Sequence, residues 1–158
     1  MVPRPTFFQE AASSPQIEEM PPPPYLVIRD GVSFWVESRP LHQWSVTLHA
    51  FNQGCFQGAC CYDADGGLWS IVKAEWRERP SLLNRLFPWR QAGVELRLGP
   101  CARVEIGNIV LRLAAILKSV SAFTEDALAA PPDAIIERFE GALTPLEIIQ
   151  VAKECLKR

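Results

Sequence analysis

A cysteine and a histidine in the middle of the chain are of the types that support covalent catalysis. Side-chain alternation predicts strands over residues 44–51 and 57–62, joined by a short loop, which places His49 diagonal to Cys61 on one face of adjacent strands. A thiol beside an imidazole can act as a nucleophile with its general base. The sequence offers no third residue at an obvious spacing to orient the imidazole and no glycine-rich turn for an oxyanion hole. A thiol-dependent enzyme or small-ligand binder using His49 and Cys61 is therefore an alternative hypothesis.

Acidic and cysteine-containing motifs give weak support to a metal site. The run from Asp63 to Gly67 opens like a calcium loop, but Ala74 stands where the twelfth-position glutamate is needed. Asp and Gly in this order favour a hairpin turn, because both accept the backbone angles of tight turns. The cysteines at 55, 60 and 61 lack the Cys-x2-Cys spacing of zinc sites. The sequence thus predicts no metal, no cofactor and no catalytic residue.

Residue types that dominate binding surfaces are concentrated between positions 77 and 90. This segment holds four arginines and one tryptophan, and residues 68–112 carry eight basic against four acidic side chains. Arginine and tryptophan are enriched in binding hot spots because each desolvates a large rigid surface and keeps a polar group. Two further tryptophans are predicted on an open sheet face. The predicted partner-binding residues are Trp35, Trp69, Arg77, Arg79, Arg85, Trp89 and Arg90.

The charge of the chain favours a protein partner over nucleic acid. Sixteen basic and eighteen acidic residues give a net charge of −2, without the global basic excess of a typical nucleic-acid-binding protein. The leading hypothesis is a non-enzymatic protein-binding module of the inhibitor, adaptor or chaperone type, whose partner has an acidic surface. Nucleic-acid binding through the basic middle third is the second alternative, with arginines on phosphates and aromatic rings stacked on bases.

Hydrophobic periodicity predicts the elements that must position these residues. Residues 25–106 show period-two alternation broken by turn signals, which indicates about six to seven short antiparallel strands with a helical insertion at 80–87. The predicted strands are 25–29, 32–37, 44–51, 57–62, 68–76, 94–98 and 102–106, with a two-residue turn at 30–31 and with residues 61 and 62 opposite 69 and 68. Residues 108–158 switch to helical spacing, which predicts helices over 108–123, 132–142 and about 144–157. The predicted fold class is α+β, with the C-terminal helices packed on the apolar, even-numbered face of the sheet. The odd-numbered face, bearing Trp35 and Trp69, is predicted to be open or partly covered by the N-terminal arm.

The domain prediction separates an N-terminal arm from one folded unit. Residues 1–24 contain seven of the fourteen prolines, a composition typical of a flexible extended segment, and residues 25–158 form a single α+β domain. No apolar run has the length of a signal peptide or a membrane span, and five cysteines suit reduced thiols. These features predict a cytoplasmic protein without a membrane partner. Nothing in the sequence sets an oligomeric state.

Overall fold

A computed structural model describes residues 20–119 and 127–156, and residues 1–19 of the predicted arm lie outside that range. The described residues form one sheet of six antiparallel strands with helices, so the α+β prediction is confirmed. The strands are β1 Tyr25–Arg29, β2 Ser33–Glu37, β3 Ser45–Thr47, β4 Ala59–Tyr62, β5 Gly67–Trp76 and β6 Gln91–Arg103. The helices are α1 Leu48–Asn52, α2 Leu82–Leu86, α3 Ile106–Lys118, α4 Pro132–Glu140 and α5 Pro145–Cys155, with a 3-10 turn at Leu41–Gln43.

The sheet order is β2-β1-β4-β5-β6-β3. The predicted pairing of β4 with β5 is confirmed, with Cys61 opposite Trp69 and the two residues flanking the turn also paired. The first hairpin differs by one residue, because Arg29 pairs with Ser33 and leaves a three-residue turn where two residues were predicted. Gly31 in that turn has φ of 72°, a conformation that favours glycine.

The C-terminal helices begin and end at local sequence signals and cover one face of the sheet. α5 starts after Thr144, whose hydroxyl accepts a hydrogen bond from the backbone N–H of Glu147 at 3.2 Å, and α4 starts with proline and ends before Gly141. Their apolar faces pack on even-numbered residues of β1, β2, β4 and the start of β5. The fully buried members of this first core include Leu26, Phe34, Tyr62, Ile109, Leu113, Ile116, Ile135, Phe139, Ile148 and Ile149.

The side-chain alternation of β5 and β6 shifts partway along both strands. Even-numbered residues therefore point to one side of the sheet at one end and to the other side at the other end. Trp69 lies opposite Cys101 and Ile71 lies opposite Leu98, so β5 advances two residues where β6 advances three. The extra residue here is on β6. Before Lys73 the extra residue is on β5, which restores the register. Because side chains alternate, one inserted residue in each strand sends the following even-numbered side chains to the opposite face. The predicted single even-numbered core face is therefore wrong for the end of β5 and the start of β6, where Ala74, Trp76, Val94, Leu96 and Leu98 face the other side, while Val104 and Ile106 pack on the first core as predicted.

The face opposite the helices is a second hydrophobic core. The prediction of an open, polar odd-numbered face is wrong, because odd residues of β1, β4 and β5 combine with even residues of β6 and aromatic side chains from the connections. Tyr25 and Trp44 contribute rings 6.0 Å apart, and Phe56 lies 6.5 Å from Trp44. The buried members are Tyr25, Val27, Leu41, Trp44, Phe56, Ala59, Cys61, Trp69, Ile71, Val94, Leu96 and Leu98.

Two predicted strands differ from the observed elements. The strand predicted over residues 44–51 is a three-residue strand followed by α1, because the hydroxyl of Thr47 caps the helix by accepting the N–H of Ala50 at 3.0 Å. The strands predicted at 94–98 and 102–106 are one continuous strand, β6, that spans thirteen residues. The end of the predicted helix 108–123 lies outside the described residues, which stop at 119 before the gap.

Candidate functional site

The connection between β5 and β6, residues 77–90 and hereafter the hairpin tip, holds the largest group of exposed apolar side chains among the residues that the structure describes. α2 lies within it and begins at a capping box, in which Ser81 and Asn84 exchange hydrogen bonds between side chain and backbone. Phe87 and Trp89 contact each other edge to face at 5.2 Å. The exposed fractions are 71% for Leu82, 49% for Leu83, 61% for Leu86, 41% for Phe87 and 68% for Trp89.

The base of the hairpin tip is fixed to the sheet by Arg77. Its backbone N–H donates to the carbonyl of Gly93 at 2.9 Å, and its Nη2 donates to the carbonyl of Val94 at 2.8 Å. A Cβ on Gly93 would lie 2.9 Å from Nη1, so the guanidinium occupies the space that this glycine leaves open. Arg77, predicted to contact a partner, therefore has a positioning role within the fold.

α1 also supports the hairpin tip. The ring of Phe51 stacks on Trp76 at 4.2 Å, just before the tip begins, and the backbone N–H of His49 donates to the carbonyl of Pro88 at 3.2 Å. Aromatic stacking at this distance adds to burial and restricts both rings. The tip is thus joined at its first and last residues to the rest of the fold, while α2 projects its leucines into solvent.

Three further arginines are interspersed with the apolar side chains of the hairpin tip along the chain. Arg79, Arg85 and Arg90 are all exposed, and none takes part in the ion pairs found among the described residues. Glu78 is the one acidic residue of the tip, so the segment has a net charge of +3 including Arg77. An exposed apolar patch rimmed by unpaired guanidinium groups has the composition of an interaction surface.

The two tryptophans predicted on an open face lie elsewhere. Trp69 is 2% exposed in the second core, and its Nε1 donates to Oδ2 of Asp63 at 2.8 Å, so the predicted position on an open face is wrong. Trp35 is half-buried on the edge strand β2 and packs on Phe56 with ring centroids 6.1 Å apart. Neither indole belongs to the hairpin tip.

The thiol and imidazole of the alternative site are not brought together. Cys61 is fully buried in the second core, and burial, followed by the negative charges of Asp63 and Glu37, raises the pKa of its thiol far above the ordinary value. His49 is exposed on α1, and β4 pairs with β1 and β5 instead of the predicted strand 44–51. The predicted placement of His49 diagonal to Cys61 on adjacent strands is therefore wrong, and burial of the thiol disfavours the thiolate that a nucleophile needs.

The sequence predicted the arginines of the hairpin tip as partner-binding residues, but no binding role was predicted for its leucines. The exposed leucines follow Pro80 and precede Pro88, and a helix confined between two prolines is too short to bury a full apolar face. The two flanking prolines were the sequence signal that these leucines would be exposed. The hairpin tip therefore offers apolar side chains that a partner can bury and three guanidinium groups that can pair with carboxylates.

Comparison with family models, curated proteins and solved structures finds no match for this chain. Among the described residues, no helix has the length and apolar character needed to cross a membrane.

Proposed function

We propose that this chain is a non-enzymatic, cytoplasmic protein-binding module of the inhibitor, adaptor or chaperone type, which contacts an acidic partner protein through the hairpin tip. One observation carries the proposal: five large apolar side chains, exposed by 41–71%, lie in one segment with arginines at 79, 85 and 90. Singly exposed apolar residues are ordinary on protein surfaces, whereas a contiguous group with a charged rim is typical of interfaces.

The chemistry of the hairpin tip favours a partner with carboxylates around an apolar depression. Leu82 and Leu86 stand one helical turn apart on α2, the spacing with which short helices insert anchors into grooves. Arg79 and Arg85 would pair with carboxylates at the rim, which increases the rate of association and aligns the partner. The Phe87–Trp89 pair supplies a restricted aromatic surface that loses little conformational entropy on binding.

The test compares two leucines of nearly equal exposure. Leu82, on α2, is 71% exposed, and Leu111, on α3 at a distance along the chain, is 69% exposed. Asp is favourable in the first turn of a helix, so Leu82→Asp is expected to keep α2 folded. Tagged wild type, Leu82→Asp and Leu111→Asp are used for capture from a nuclease-treated lysate of the source cells, with stoichiometry measured by quantitative mass spectrometry.

The proposal predicts that wild type and Leu111→Asp retain the same near-stoichiometric protein and that Leu82→Asp loses it. Equal retention by all three proteins excludes the hairpin tip as the contact surface. Retention that disappears on nuclease treatment and falls steeply with salt identifies the nucleic-acid alternative instead.

A further inference from the structure

A second exposed apolar surface lies at the turn between α4 and α5, residues 141–146, hereafter the α4–α5 corner. Leu143 is 81% exposed and Leu146 is 49% exposed. Leu143 immediately precedes the helix cap Thr144, a position from which an apolar side chain commonly packs on the fourth helical residue. That residue, Ile148, is fully buried in the first core, and Leu143 remains in solvent. The side chain is therefore available to a partner.

The helices around the α4–α5 corner and the hairpin tip carry opposite charge. The corner itself has no charged residue, but the helical residues 133–154 around it contain five acidic and two basic side chains, a net charge of −3, and Arg138 is already paired with Glu154. The hairpin tip has four arginines and one glutamate, a net charge of +3. Opposite local charge around exposed leucines makes the two surfaces electrostatically complementary.

The two surfaces lie at opposite ends of β5. Pro145, at the start of α5, packs over the turn that precedes β5, since a Cβ on Gly66 would lie 3.4 Å from its Cγ. The hairpin tip begins after Trp76, at the other end of this ten-residue strand. Ten strand residues span about 30 Å. The tip and the corner of one molecule are thus too far apart to contact each other.

We propose that the hairpin tip of one copy docks on the α4–α5 corner of a second copy. This inference rests on the proposed function, because it takes the tip as the binding surface and names a second copy as a partner of the predicted acidic chemistry. A symmetric contact between two tips would oppose four arginines to four arginines and is disfavoured by charge. We assign the contact to a head-to-tail arrangement, which is heterologous and leaves one free tip and one free corner on each dimer, whereas an antiparallel two-fold pair would stop at a dimer.

Sedimentation velocity over low micromolar to about millimolar concentration tests the contact. The wild type is expected to grow beyond a dimer as concentration rises, and added salt should weaken this growth. Leu82→Asp in the tip and Leu143→Lys in the corner should each raise the dissociation constant at least about tenfold, because each places a charge of repelling sign at the contact. Leu111→Asp is the matched control and should associate as the wild type does.

A mixture of the two interface variants gives the decisive measurement. The intact tip of Leu143→Lys fits the intact corner of Leu82→Asp, so the mixture should form a heterodimer at concentrations at which each variant alone stays monomeric. Circular dichroism of each variant establishes that it is folded. A wild type that stays monomeric, an equal effect of Leu111→Asp, or a mixture without heterodimer overturns the proposal.

The lysate capture distinguishes this inference from the proposed function. A tip-dependent partner of another sequence, captured by a protein that is monomeric in sedimentation, overturns the head-to-tail contact and supports the proposed function. Capture of the chain's own untagged copies alone, together with the mixed dimer, supports the head-to-tail contact and overturns a separate partner protein.

Discussion

The indole Nε1 of Trp69 donates a hydrogen bond to Oδ2 of Asp63 at 2.8 Å, and both side chains are at least 98% buried. Oδ1 of the same carboxylate accepts the backbone N–H groups of Asp65 and Gly67 at 2.8 and 2.9 Å. Asp63 therefore links the β4–β5 turn to the second core. Its three donors explain why an acidic side chain can be buried between two hydrophobic clusters.

Substitution of Asp63 should destabilise the fold strongly. Asp63→Asn replaces one of the two carboxylate oxygens with an NH2 group. This donor then faces either the indole N–H of Trp69 or the backbone N–H groups of the turn, so hydrogen bonding is lost in either orientation. Loss of charge-assisted hydrogen bonds in a buried site is expected to lower the free energy of unfolding by about 2–4 kcal/mol, measured by urea denaturation. Asp65→Asn is the matched control, because that side chain is exposed. A similar unfolding midpoint for both variants would contradict the structural role of Asp63.

Gly67 should be intolerant of a side chain for a steric reason. A Cβ there would lie 2.6 Å from Oδ2 of Asp63 and 2.7 Å from Sγ of Cys101, and the carboxylate is held by its three donors. We expect Gly67→Ala to lower the free energy of unfolding by about 1–3 kcal/mol. Gly107→Ala is the contrasting variant, because its Cβ meets no atom within 4 Å in the first turn of α3, and it should stabilise by up to about 1 kcal/mol. Thermal unfolding that ranks the two variants in the reverse order would refute this assignment.

The thiols should differ widely in reactivity. Cys61 is fully buried and Cys101 is exposed, so alkylation at neutral pH in the folded protein should modify Cys61 at least about tenfold more slowly. Peptide mass spectrometry after timed quenching measures both rates. Denaturant should equalise them. Rapid labelling of Cys61 in the native protein would restore the thiol-enzyme alternative.

Alkaline pH should destabilise the protein through the second core. Burial raises the pKa of the Cys61 thiol, and burial followed by the charges of Cys61 and Asp63 raises the pKa of Tyr25 to about 12. Both groups stay protonated in the folded state while the unfolded chain loses their protons above its ordinary values of 9.0 and 10.0. The stability that Cys61 contributes is therefore lost above about pH 9, and that of Tyr25 is lost from about pH 10 to about 12, by about 1.4 kcal/mol per pH unit for each group.

This pH dependence is measured by urea denaturation between about pH 8 and about pH 10.5. Cys61→Ala removes one titrating group and should reduce the alkaline slope, although the substitution lowers stability at every pH. Cys101→Ala leaves the buried groups in place and should retain the wild-type slope. An unchanged slope in Cys61→Ala would contradict the assignment of the shifted thiol.

Replacing Arg85 and Trp89 together with Ala should separate binding from folding. Trp89 is 68% exposed, and Arg85 is exposed on α2 without an ion pair among the described residues, so the free energy of unfolding should change by less than about 0.5 kcal/mol. Loss of two hot-spot side chains should weaken partner binding at least about tenfold. Calorimetry on the double variant and the captured partner checks the binding. Unchanged affinity in a folded double variant would remove these two residues from the site.

Local features of the fold were predictable from the sequence. Thr144 and Pro145 set the start of α5, Asp63 to Gly67 forms the predicted β4–β5 turn, and the pairing of Cys61 with Trp69 follows from the length of that turn. These features depend on side chains within a few residues of each other, whose hydrogen bonds and backbone preferences act wherever the segment lies. The concentration of arginine and tryptophan in the hairpin tip was likewise visible in the linear sequence.

Only the tertiary structure decided which side chains face solvent. The inserted residues near Ile71 and Leu98 reverse the side-chain alternation of both strands, and they arise from the pairing of β5 with β6 across about thirty residues of chain. This reversal, with α1 in place of a strand, encloses Trp69 and Cys61 in a second core and excludes His49 from it. Register and burial depend on contacts between distant segments, and periodicity within one segment contains no information about them.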